Sequence, residues 1–365
     1  MNLTTLSAAV RRFPLVGRPR PACPSLPERV TEVADIARYC EGMHEAAHAL
    51  NKAALLASDC GLPGLARDLC WQHINVYRAA TTPLTVVQAR YMLEPVINLA
   101  RLQIRADNGS QALRLLEAVH RAVTANATLL VEGRTLPLTG LIGTRQEHHK
   151  LREWVWLLYL EDGIRALTLA GRWDEAAAHA ETHRGVGLHL MDGRQAVIIA
   201  HCLRGEQHAA HAALQESTPA YPWEQQVASC LTVMCAHEAS PARDITTMVD
   251  RFLEQEPRQG YEVFRARLGL TVATLAGDTD PLAAARVLAQ VATETIEAGD
   301  GYAAREVIKH RGTAELPSTQ REALARLVTS SALGSGALPE SVLTSLIGSV
   351  EAAKKALAID VGGPR

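Results

Sequence analysis

Two short stretches decide the fold: Ala170-Gly171-Arg172-Trp173-Asp174-Glu175-Ala176 and Arg204-Gly205-Glu206-Gln207-His208-Ala209-Ala210. Each puts a glycine where one helix ends, then polar residues, then an amphipathic run that opens the next helix. A small residue, Ala176 or Ala210, follows at the point where two antiparallel helices cross closely. The two glycines are 34 residues apart. A helix, a tight turn and a returning helix at that period predict stacked helical hairpins.

The same punctuation extends in both directions. Matching turns fall at residues 59–66 and 106–112, and a weaker one at Ala276-Gly277-Asp278 leads to Ala283. Val30, Val33, Ala37, Cys40, Ala47, Leu50 and Ala54 recur at helical spacing and predict one apolar face, ended by Gly61-Leu62-Pro63-Gly64. Residues 65–77 read as the returning helix. Pro95 reads as lying near a helix start, and Thr319 with Glu322 as a capping box. Strand signals are scarce. Residues 126–146, with Gly133, Pro137, Gly140 and Gly143, read as a long loop or paired short elements. Residues 1–28 carry Pro14, Pro19, Pro21, Pro24 and Pro27 with Arg11, Arg12, Arg18 and Arg20, and no acid before Glu28. They predict an extended arm that caps the first helices or meets an anion or partner, with a disordered arm as the remaining alternative.

Residues 170–180 resemble the turn and second helix of a tetratricopeptide repeat, and the likeness runs over residues 29–310. It implies an all-α protein, an α-solenoid of stacked hairpins in a right-handed superhelix. The array is partly degenerate. Other turns fall about 46, 64 and 72 residues apart, and the family's Trp, Gly and Tyr of the first repeat helix are mostly replaced. The expected organisation is an arm (1–28), a repeat array (29–312), and capping helices with a short tail (313–365). The last helix, with Val342, Leu343, Leu346, Ile347, Val350 and Leu357 on one face, is expected to cap the array or to form a homodimer. The resemblance further implies a non-enzymatic adaptor or regulator that docks a peptide or protein in a concave groove. In the register set by Gly61 and Ala66, that groove is lined by His48 and Asn51, Glu94 and Arg101, Glu161 and Arg165, and Asp192 and Gln195. Arg101 and Arg165 suit a carboxylate. Such a mixed lining also suits a small polar ligand, which makes a small-molecule sensor a further alternative.

Composition bounds these readings. The chain has 365 residues, 47% hydrophobic and 21% charged, which is globular rather than disordered. Basic and acidic residues number 37 and 39, so no basic excess points to nucleic acid. No apolar run reaches 18 residues, which argues against a membrane span. The seven cysteines show no C-x-x-C spacing, and most sit in apolar helical patterns, as reduced cysteines do in a cytoplasm. Arg-dominated basic residues and abundant Ala suggest a high-GC, actinobacterial-type genome.

One motif carries a different chemistry. His44-Glu45-Ala46-Ala47-His48 matches H-E-x-x-H. On a helix, histidines four apart share a face and can hold zinc, with the glutamate as general base. The longer zinc-protease pattern wants Gly at 51 and His at 54, where this chain has Asn51 and Ala54. The motif is therefore read as the polar face of a repeat helix, with a zinc enzyme as the alternative. His148-His149-Lys150 reads as an exposed helix start. No phosphate-binding loop, dinucleotide fingerprint or nucleophile elbow is present in the sequence.

Overall fold

The computed structural model describes residues 3–236 and 242–362. In chain order the helices are α1 (Leu3–Val10), α2 (Leu26–Arg38), α3 (Met43–Asp59), α4 (Pro63–Arg78), α5 (Val86–Arg105), α6 (Gly109–Ala125), α7 (Arg145–Leu169), α8 (Trp173–Thr182) and α9 (Asp192–Leu203). There follow α10 (Gln207–Gln215), α11 (Pro222–Cys235), α12 (Ala242–Glu254), α13 (Glu262–Ala276), α14 (Pro281–Ala298), α15 (Gly301–Ile308), α16 (Ser318–Ser330) and α17 (Glu340–Gly362). Strands β1 (Leu129–Val131) and β2 (Arg134–Leu136) interrupt the series. The chain divides into two compact units. The first holds residues 26–166 and 332–365, the second residues 1–25 and 167–331.

In the first unit, α3 buries Ala46, Ala49, Leu50, Ala53 and Ala57, a stripe of small residues that lets α4 and α17 approach closely. From α2 to α6 each helix packs on the next, and α3 also touches α5. The apolar face expected to run unbroken from Val30 to Ala54 is shared by two helices. Residues 39–42 break it, with Gly42 extended at the N-cap of α3. Pro95 lies inside α5 rather than near its start, because a capping box between Thr85 and Gln88 begins that helix earlier. Its missing N–H forfeits only one bond of the helix ladder. Residues 126–146 do hold paired short elements. Leu129 pairs with Leu136 and Val131 with Arg134, and Glu132 and Gly133 turn between them with positive φ. The last helix, α17, buries Leu346, Val350, Ala353 and Leu357 against α2, α3 and α4. Most of the face offered for a homodimer is thus covered by the chain's own α2, α3 and α4, with Leu343 left exposed.

In the second unit, helices pack on their neighbours and on the next but one: α9 on α11, α11 on α13, α13 on α15, α12 on α14 and α14 on α16. That pattern is compatible with an α-solenoid. Gly171 and Gly205 both adopt positive φ, +72° and +75°, where any other residue would be strained. Ala176 and Ala210 are fully buried. α16 begins at Ser318 after Pro317 without a side-chain cap, so the expected Thr319–Glu322 capping box is replaced by a proline entry. The arm also differs from expectation. Residues 3–10 are helical, since no proline precedes Pro14, and Leu6, Ala9 and Val10 are buried, with α1 against α13. The arm therefore belongs with residues 167–331 and not with the first helices. Residues 363–365 of the expected tail lie outside the described residues.

Candidate functional site

The first helices of successive hairpins carry the polar residues of interest. In the first unit these are α3, α5 and α7. A ladder joins α3 to α5: His44 Nδ1 lies 3.0 Å from the Tyr91 hydroxyl, Asn98 donates to Asn51 at 3.3 Å, and Arg105 donates to Ser58. All three pairs span the same sequence offset, 47 residues. On each helix the rungs recur every seventh residue, two helical turns, so they line one face.

Further bonds tie the rungs together. Asn51 donates to Glu94 at 2.7 Å, and Arg101 donates to Asn98 at 3.3 Å and to Asp162 of α7 at 3.0 Å. Burial raises the Glu94 carboxyl above its ordinary range; nearby Arg90 and the Asn51 bond oppose that shift. Burial lowers His48, aided by the charge of Lys52. At the far end Asp59 is almost wholly buried. It takes Arg29 at 2.6 Å and Arg105 at 3.3 Å.

Of the residues expected here, Asn51, Glu94 and Arg101 are brought into one network, with exposed His48 one turn away on α3. Glu161 is half-buried and Arg165 exposed on α7, but Arg101 meets that helix through Asp162, one position on. Asn98 and Asp162 were not expected. Asn98 was findable as the polar residue one turn beyond Glu94 and one turn before Arg101. Asp162 was not, because the facing side of α7 is set by packing. His148 is half-buried and His149 exposed near the start of α7.

Asp192 and Gln195 lie in the second unit, on α9, and they grip the chain itself. Gln195 is fully buried. Its Oε1 accepts the Leu15 N–H at 2.7 Å, and its Nε2 donates to the Leu15 carbonyl at 2.7 Å and the Leu190 carbonyl at 2.5 Å. Asp192 pairs with Arg18 at 2.6 Å. The extended arm continues across other first helices. Gly17 lies so close to Trp223 of α11 that a Cβ would come within 2.5 Å of its ring. The Arg20 guanidinium sits 5.2 Å from the Tyr302 ring of α15. Asp300 accepts the Cys23 N–H at 2.8 Å, and the Gly301 N–H reaches the Cys23 carbonyl at 2.9 Å. The acid-free basic stretch was the one sequence signal for this contact.

Asn51 and Gln195 share one register relative to the turn that follows them. Each stands ten residues before a turn glycine, Gly61 and Gly205. A carboxamide at this position can present one donor and one acceptor to a peptide unit, as Gln195 does.

The H-E-x-x-H residues sit at the start of α3. The His44 and His48 rings are 6.3 Å apart, and His44 engages Tyr91. Among the described residues no three His, Cys, Asp or Glu side chains are grouped to share a metal ion. No described helix is long and apolar enough to cross a membrane. Compared with known protein families, curated proteins and solved structures, the chain matches none.

Proposed function

We propose that this chain is a non-enzymatic binding protein of the tetratricopeptide-like, α-solenoid kind, a cytoplasmic adaptor or regulator. Its first-helix faces hold extended peptide, and the face formed by α3, α5 and α7 docks a partner segment. The observation that carries this reading is the Gln195 clamp. A carboxamide at the groove position of the repeat takes both backbone groups of an extended residue, Leu15. Asn51 occupies the same position in the first unit, half-buried, with its amide held by Glu94 and Asn98. Those side-chain bonds are exchangeable for bonds to a peptide backbone at little net cost. Arg101 adds a cation for a partner carboxylate, and exposed Leu55 an apolar contact. The constant offset of 47 residues between α3 and α5 supports the repeat reading, as does the contact of Cys202 with Cys235, 33 residues apart at the ends of α9 and α11.

The test is selection of linear peptides from a random displayed library on the full chain. Selected peptides should lose at least about tenfold in affinity with Arg101→Ala, with helicity unchanged. Failure to enrich any peptide, or affinities indifferent to that change, contradicts the proposal.

A further inference from the structure

A cavity of about 300 Å³ lies in the first unit between the end of α6, the loop after β2 and the first two turns of α7. Its lining has two chemistries. Arg145, His148 and Arg152 come from one face of α7, at spacings of three and four residues. Val123, Leu138, Leu141 and Leu151 make up the apolar part. No carboxylate lines it. The nearest acid in sequence, Glu147, turns back to accept the Thr144 N–H at 2.6 Å and its hydroxyl at 2.8 Å.

The lining is cationic, with no carboxylate to balance it. Arg145 and Arg152 stand two helical turns apart on one face, with the His148 imidazole between them. Arg145 also stands in the first turn, at the positive end of the helix dipole, where a cation is disfavoured and an anion favoured. Arg145 and Arg152 make no ion pair with any described carboxylate. An anion bound between the two guanidiniums gains both charges and the helix N-terminus. The leucines then shield an apolar body attached to it, and the cavity size falls at the small end of ligand sites.

We propose that this cavity binds a small amphipathic anion: a carboxylate or phosphate head held by Arg145, His148 and Arg152, with a short aliphatic body against Leu138, Leu141 and Leu151. The site shares no residue with the α3–α5 ladder and rests on no part of the peptide reading.

The test is calorimetric titration of the full chain with four probes. Octanoate has head and body, 1-octanol only the body, acetate and inorganic phosphate only a head. Octanoate should bind with a dissociation constant below about 1 mM and at least about tenfold tighter than the other three. The double substitution Arg145→Gln, Arg152→Gln changes exposed side chains only, and should cost octanoate at least about tenfold. Acetate weaker than phosphate would assign the head to phosphate, and octyl phosphate should then surpass octanoate. Overturning results are octanol binding as tightly as octanoate, a bare head binding as tightly as the amphiphile, octanoate affinity unchanged in the double variant, or no saturable binding of either amphiphile.

Discussion

Gln195 and Asn51 occupy the same place in their hairpins, yet their amides end differently. In the second unit the amide closes on the backbone of Leu15, beneath a strip of chain that also engages Asp192, Trp223, Tyr302 and Asp300. In the first unit the amide lies within a half-exposed lattice of Glu94, Asn98 and Arg101, the last anchored on buried Asp162. One face has become core and the other has remained surface. The fully buried amide acts on stability, because removing it strands backbone groups away from water. The half-exposed amide is available for recognition, because its bonds exchange with solvent and ligand on similar terms.

That contrast can be broken at several points, ordered here by expected effect. Arg29→Met removes the 2.6 Å ion pair of buried Asp59 while the longer one to Arg105 stays, and should destabilise the first unit by about 4 kcal/mol in denaturant unfolding. Gln195→Leu strands the N–H and carbonyl of Leu15 and should cost about 3 kcal/mol in the second unit. A loss below about 1 kcal/mol would show that the arm is only loosely seated.

Acid should reach both units. His73 is buried with neither ring nitrogen bonded, and burial pulls it down to about 3; burial and the charge of Arg12 bring His310 to about 4. Between their ordinary pKa of 6.5 and these lowered values the unfolded chain binds more protons. Stability should therefore hold above the ordinary value and fall as pH drops below it, by up to about 1.4 kcal/mol per pH unit for each linked proton. His73→Leu should flatten that fall in the first unit and leave the second unit's slope unchanged. Smallest of all, Arg101→Ala should cost about 1 kcal/mol: Asp162 is buried, but Arg101 is half-exposed, so its removal lets water reach that carboxylate, which loss of the buried Arg29 does not do for Asp59. A larger loss would make the lattice structural, as in the second unit.

The helices were legible in the sequence because their apolar residues repeat at helical spacing and because Gly61, Gly171 and Gly205 mark turns that need positive φ. Features decided by tertiary contact were not legible. The break at residues 39–42 is invisible to a face that continues in phase across it. Pro95 reads as a boundary locally, and α5 carries it only because packing on both sides repays a lost bond. The site was half legible. Position alone singled out Asn51, Glu94, Arg101 and Gln195. The acid-free basic stretch marks residues 11–20 as a contact segment, but nothing local indicates that Asp192 and Gln195 receive it, since that contact spans up to 180 residues of sequence.

The most direct test of the central claim is hydrogen exchange of the full chain with and without a library-selected peptide. The account predicts slowed exchange over α3 and α5, with the Leu15 and Cys23 amides equally protected in both states. Slowed exchange over α9 with loss of protection at Leu15 would contradict it, because the peptide would then be replacing the arm and the open face of the first unit would not be the docking site.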